Sequence, residues 1–257
     1  MNDFVSYATR DLINLSKQNM ELELVISDLD GTIVETENYH RLAYNELFKE
    51  LGVDNRWSKQ DYAHRLQTMG GNKFREIFSW LNLPENKYEQ SKQRLYARKT
   101  ELYVELITHD LTAGQLRLRP GIERLFKEVQ DSGIPIAIGT ACVGWAAQKV
   151  VQAALGEAFL QSLACLCGGE STPKHKPAPD IYLLVAQKVG VNPGSCVVIE
   201  DTHHGLQSAK RAGMTCLATP SEFAAMHDFS EADLVLPNLN SPSPFNLKSL
   251  KDLLLKR

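Results

Sequence analysis

From Arg119 onward, short and almost continuous apolar runs alternate with amphipathic stretches of helical period. The runs 134–139, 163–167, 196–199, 215–218 and 234–236 read as strands, and 145–155, 178–189, 204–212 and 247–254 read as helices. Strands that are apolar on both faces need cover on both faces, which strand–helix alternation supplies through a parallel sheet. The earlier run 22–27 is the natural first strand. The expected class is therefore α/β, a doubly wound, mainly parallel, Rossmann-like sheet. Ligands of such sheets bind outside the carboxyl ends of the strands, so the residues that follow each run matter most.

Residues 37–115 interrupt the pattern. The stretches 39–51, 59–68, 74–81 and 85–108 all read as helical, which predicts an inserted helical cap domain, and Arg119-Pro120-Gly121 marks the return to the sheet. The expected organisation is an N-terminal extension over 1–20, a Rossmann-like catalytic core over 21–36 and 116–257, and a helical cap over 37–115. Residues 1–20 lack the charged start and apolar centre of a secretory signal.

The net charge of −3 provides no basic field for nucleic acid. No apolar run approaches the ~20 residues needed to cross a bilayer. Five cysteines, odd in number and mostly in apolar segments, fit reduced core thiols, and Cys165-x-Cys167 reads as strand packing. The expectation is a cytoplasmic monomer with neither nucleic-acid nor membrane partners, with a plastid as the alternative location.

The chemistry lies at the strand ends. Leu22, Leu24, Val25 and Ile26 lead into Asp28-Leu29-Asp30-Gly31-Thr32, where Gly31 releases the backbone into a turn. Two acids that close repel unless something positive sits between them, and a divalent metal with a phosphate ester would use both. Asp-rich turns are common. Even so, average residue usage yields Asp-x-Asp-Gly-Thr on the order of 10⁻⁵ times per position, which favours chemistry. Downstream, Thr140 ends the run Ile136–Gly139, Lys176 precedes Pro177-Ala178-Pro179, and Glu200-Asp201 ends Val197-Val198-Ile199. Singly these read as a cap, a solvated charge and an N-cap pair. Together they place a metal site, a cation and a hydroxyl at one sheet edge.

This ordered set resembles the haloacid dehalogenase-like hydrolase superfamily, whose four motifs match at Asp28-x-Asp30, Thr140, Lys176 and Glu200-Asp201. The helical insert is similar to the small cap of its sugar-phosphatase branch. Glu35-Thr36-Glu37 with His40-Arg41 and Ala43-Tyr44-Asn45, Gly70-Gly71-Asn72-Lys73, Thr219-Pro220-Ser221-Glu222-Phe223 and Ala232-Asp233-Leu234-Val235-Leu236-Pro237 look like the CbbY-type branch. The reference members of that branch are phosphatases of xylulose 1,5-bisphosphate, which the resemblance implies as the substrate here. Thr140-Ala141-Cys142-Val143-Gly144-Trp145 departs from the branch, which carries small hydroxyl residues and an asparagine there.

The resemblance implies Asp28 as nucleophile, Asp30 as general acid and base, and Thr140 and Lys176 as partners of the phosphoryl oxygens. It implies Mg²⁺ held by Asp28, the backbone carbonyl of Asp30, Asp201 and Glu200. Substrate contacts are expected at Thr32, Glu35, His40, Gly71, Lys73 and Ala141, with Lys73 gripping a second phosphate from a glycine-rich turn. Arg94, Arg98 and Lys99 are expected on a solvated helix face. The partner is a phosphorylated sugar. A β-phosphoglucomutase-type phosphomutase, a phosphoglycolate-type phosphatase and a non-catalytic phosphate-binding protein stand as alternatives.

Overall fold

In a computed structural model of the chain, residues 21–66 and 71–256 are described, and the expected extension over 1–20 lies outside them. Six parallel strands form one sheet in the order β3-β2-β1-β4-β5-β6. They are β1 (Leu24–Ser27), β2 (Ile136–Gly139), β3 (Cys165–Cys167), β4 (Cys196–Glu200), β5 (Thr215–Ala218) and β6 (Leu234–Val235). Ser27 is level with Ile138 on one side and Ile199 on the other, so Asp28, Thr140 and Glu200 emerge at the same edge. The strand order reverses at β1, which makes its carboxyl end the topological switch point.

Alternate strand residues serve opposite faces, as a pleated strand requires. Val25, Ile138, Val197, Ile199 and Leu217 pack with α5 (Ile122–Asp131), α6 (Gly144–Leu155) and α10 (Leu247–Leu255). Leu24, Ile26, Ala137, Val198 and Cys216 pack with α8 (Asp180–Val189) and α9 (His203–Arg211). The sheet is covered on both sides, as its apolar strands demand.

Between β1 and β2 stand α1 (Glu37–Glu50), α2 (Lys59–Leu66), α3 (Gly71–Trp80) and α4 (Tyr88–Thr112), with no strand among the described residues. An aromatic cluster joins these helices: the Trp57 ring lies 4.9 Å from Tyr44 and 4.8 Å from Phe48. The two passages between core and cap lie side by side, where Val34 bridges Leu118 and the Arg119 N–H donates to the Ile33 carbonyl. No described helix is long and apolar enough to cross a membrane.

Several boundaries differ from expectation. β3 and β6 are shorter than the apolar runs that predict them, because pairing ends before hydrophobicity does. α8 starts at Asp180 rather than 178, since proline disfavours the helical region in the residue before it. α5 and α7 (Glu157–Ser162) have no counterpart in the sequence reading.

Candidate active site

Asp28 continues β1 past its last ladder bond, its N–H donating to the Ile199 carbonyl, and it is buried. Lys176 reaches it from the loop before α8. Its Nζ donates to Asp28 Oδ1 at 2.6 Å, to Glu200 Oε1 at 2.7 Å and to the Gly139 carbonyl at 3.0 Å, so its three donors are used. Tyr182 also donates to Glu200 Oε1, at 2.6 Å. Glu200 Oε2 accepts from the N–H groups of Asp201 and Thr202. Glu200 is thus a brace with both oxygens engaged. The brace needs Gly205, because a Cβ there would lie 1.8 Å from the Glu200 carboxyl.

Burial pushes the Asp28 pKa up to about 8, even though Lys176 pulls it down. Asp201 is also raised, first by burial and then by Glu200 and Asp28. Lys176 goes the other way: burial opposes its charge, but Asp28 and Glu200 outweigh burial and hold its pKa above the ordinary value. Ligand oxygens of Asp28, Glu200 and Asp201 lie within 4.8 Å of one another. Three buried carboxyl groups share one ammonium, so a second cation is needed before all three can ionise. The donor set is all oxygen and fits Mg²⁺, a hard cation that takes few carboxylates and keeps several waters.

Asp30 faces away from this centre. Its Oδ1 accepts from the Tyr103 hydroxyl at 2.9 Å and its Oδ2 from the Thr140 hydroxyl at 3.3 Å. Burial alone would raise its pKa, but the polar groups around it, His40 first, bring it down to about 2. The His40 Nε2 stands 3.8 Å from Asp30 Oδ1, beyond hydrogen-bond range. The imidazole stacks on Tyr103 at 3.9 Å between centroids. Lys99 donates to its Nδ1 at 2.6 Å, which assigns the ring proton to Nε2, on the side of Asp30. Lys99 therefore corrects an expectation. It is buried, while Arg98 pairs at the surface with Glu50, Glu101 and Glu105. Successive residues of a helix point about 100° apart, so neighbours in sequence part company.

The other expected residues fall as follows. Thr32 donates to Asp201 Oδ1 at 3.4 Å. Glu35 pairs with Arg119 Nε at 3.1 Å. Gly71 opens α3, and Lys73 on that helix is buried with its Nζ 5.0 Å from the centroid of Tyr62. The Tyr62 hydroxyl donates to Glu37 at 2.8 Å. Ala141 is exposed in the loop after Thr140, and Gly70 lies outside the described residues. Sequence reasoning does not single out Tyr103 or Tyr182, and it puts Lys99 on the wrong face. Their signal is a polar group within an apolar helix face, which is weak without knowing what the face covers.

A haloacid dehalogenase-like hydrolase family model matches residues 22–213. The plasmid-encoded CbbY protein of Cupriavidus necator is 37% identical over 227 residues, covering 86% of this chain and 87% of that protein. A mutant CbbY from Rhodobacter sphaeroides, crystallised in complex with xylulose-1,5-bisphosphate, superposes with a TM-score of 0.77. It is 30% identical, over 90% of this chain and 99% of that one. β-Phosphoglucomutase from Clostridium difficile superposes with a TM-score of 0.69 at 25% identity, over 91% and 98% of the two chains. The chain belongs to the haloacid dehalogenase-like hydrolases, in their CbbY-like branch, and is a phosphatase.

Proposed function

From that membership, we propose that the protein hydrolyses a small sugar bisphosphate, xylulose 1,5-bisphosphate first among candidates, through an aspartyl phosphate on Asp28. The observation that carries this reading is the separation of the two acids. Asp28 sits against Lys176 at 2.6 Å, while Asp30 is turned toward Thr140, Tyr103 and His40. A carboxylate held on a cation at the metal-ligand cluster suits attack on phosphorus, and one set aside suits proton transfer.

In the first half-reaction Asp28 attacks phosphorus and Asp30 gives a proton to the departing sugar oxygen. Lys176 and Thr140, each exchanging one of its resting acceptors, donate to the phosphoryl oxygens, where charge must be neutralised. In the second half-reaction Asp30 takes a proton from the water that cleaves the acyl phosphate. A pKa near 2 makes the resting form of Asp30 the base. Its acid form is favoured once a doubly charged phosphate lies beside it, because like charges disfavour ionisation. Asp28, Asp201 and the Asp30 carbonyl, with Glu200 behind them, would hold Mg²⁺, whose charge offsets repulsion between nucleophile and phosphate. On the cap side, Lys73 is assigned the second phosphate, with Lys99 adding a further buried cation.

The test is phosphate release with Mg²⁺ across sugar mono- and bisphosphates, using Asp28→Asn as the blank. Xylulose 1,5-bisphosphate is expected to rank first. A preference for phosphoglycolate or a hexose phosphate would replace the substrate and leave the mechanism. Interconversion of hexose 1- and 6-phosphates, with little free phosphate, would mark a mutase.

A further inference from the structure

We propose that Arg119 is a positioning residue for the metal site, an inference that rests on the phosphatase reading above. Its side chain is 9% exposed and its five N–H groups meet acceptors on four separate segments. One terminal nitrogen, Nη1, donates to the Gly31 carbonyl and the Thr219 carbonyl, both at 2.5 Å, with the Thr219 hydroxyl at 3.2 Å. The other, Nη2, donates to the carbonyls of Pro220 at 2.8 Å and Pro237 at 3.4 Å. Nε pairs with Glu35 at the passage into the cap, at 3.1 Å.

Two of those segments, the Gly31 turn and the loop over 219–221, flank Asp201. Gly31 has a positive φ of 81°, and a Cβ there would lie 2.1 Å from Asp201 Oδ2 and 3.0 Å from the Cβ of Ser221. The turn after Asp30 and the loop after β5 therefore touch each other across the Asp201 carboxylate. Ser221 faces that carboxylate from the loop side, and the Thr32 hydroxyl donates to it from the turn side at 3.4 Å. Nη1 bridges the two backbones. It sets the distance between the Asp30–Gly31 turn, whose Asp30 carbonyl is assigned to the cation, and the loop that orients Asp201. A planar fork holds several carbonyls at fixed angles, whereas a lysine ammonium on a flexible stem does not.

Arg119→Lys in the full chain separates this role from simple bracing of the fold. Three readouts are needed: Mg²⁺ titration by calorimetry, the rise in Tm on adding Mg²⁺, and hydrolysis of p-nitrophenyl phosphate as a function of Mg²⁺. Loss of a supporting residue behind a metal ligand typically weakens the metal by about 10–100-fold. The variant should show a shift of that order in half-saturating Mg²⁺, a smaller rise in Tm with Mg²⁺, and a far smaller change in kcat at saturating Mg²⁺. A lower Tm with unchanged Mg²⁺ affinity would overturn the proposal. If Arg119→Lys does not fold, Ser221→Ala serves, because it cuts the contact from this loop to Asp201 and leaves the Arg119 network whole. It should weaken Mg²⁺ by a smaller factor without lowering the metal-free Tm, and unchanged affinity would overturn the proposal equally. Wild-type protein without Mg²⁺-dependent hydrolysis would instead remove the phosphatase reading. Wild-type activity with unshifted variants removes only the assignment to Arg119.

Discussion

At the sheet edge, Lys176 lies within 2.7 Å of two carboxylates. On the cap side, the Lys73 ammonium stands 5.0 Å from the ring centroid of Tyr62, and that of Lys99 stands 5.1 Å and 5.4 Å from Tyr44 and Tyr103. The consequences for charge are opposite. Asp28 and Glu200 hold Lys176 in its charged form against burial. Burial lowers both cap lysines, Lys99 to about 8, with Glu37 opposing it only in part. A ring face contributes about 0.5–2 kcal/mol to a cation, too little to replace a carboxylate in a buried site. The core centre is therefore charge-matched before any substrate arrives, save for the excess acid that fits a metal. The cap face stays short of negative charge, and a second phosphate would supply it. In the proposed function, chemistry accordingly belongs to the first region and substrate choice to the second.

The sharpest way to break this division is Asp28→Asn, which should abolish phosphate release from every ester, large or small. Removing the metal with a chelator should do the same; residual turnover in either case would deny the core its role. Asp30→Asn comes next and should cost about 10²–10⁴-fold in kcat on substrates with poor leaving groups. The loss should be smaller on p-nitrophenyl phosphate, whose leaving group needs no proton. Equal losses on both esters would count against a proton-transfer role for Asp30.

Lys73→Ala tests the cap. It should raise KM for a bisphosphate about tenfold or more, a loss of ~1.4 kcal/mol or greater, and leave p-nitrophenyl phosphate nearly unchanged. Equal effects on both esters would erase the contrast between regions. Lys99 supplies a pH test. Its folded pKa of about 8 lies below the ordinary 10.5, so between these values the unfolded chain binds more protons. Stability from this residue should thus rise with pH across that window and be lost as pH falls toward 8. Chemical denaturation at several pH values should show a shallower rise in Lys99→Met. The smallest effect is expected at Lys59–Glu222, an exposed cap–core pair at 3.4 Å with side chains 58% and 66% accessible. A double-mutant cycle there should return under about 1 kcal/mol, with kcat unchanged.

Most of the sheet was legible because apolar runs report burial directly. The positions of Asp28, Thr140, Glu200 and Asp201 followed, since parallel strands in register bring their ends to one edge, and Lys176 lies on a loop that leaves the same edge. Helix α5 was overlooked although its apolar face is regular, with Ile122, Leu125, Phe126 and Val129 all buried. Lys99 was misplaced for a different reason. In a sequence it stands beside Arg98 in a charged run, and only packing of α4 against α1, with Tyr44 and His40 opposite, makes its position interior. Arg119 was noticed only as a marker of the return from the cap.

The order of residues by itself determined the fold class and the sheet edge at which the candidate acids gather. Burial periodicity and strand-end residues are local properties that survive without coordinates. Tertiary structure alone decided which oxygens of Glu200 are already engaged, which way Asp30 faces, that Lys99 belongs to the site, and that one guanidinium joins the loops around Asp201. Each of these depends on distances between segments far apart in the chain, such as Thr32 and Asp201, which are 169 residues apart. Hydrogen bonding and desolvation act over a few ångströms of space, whatever the separation along the chain.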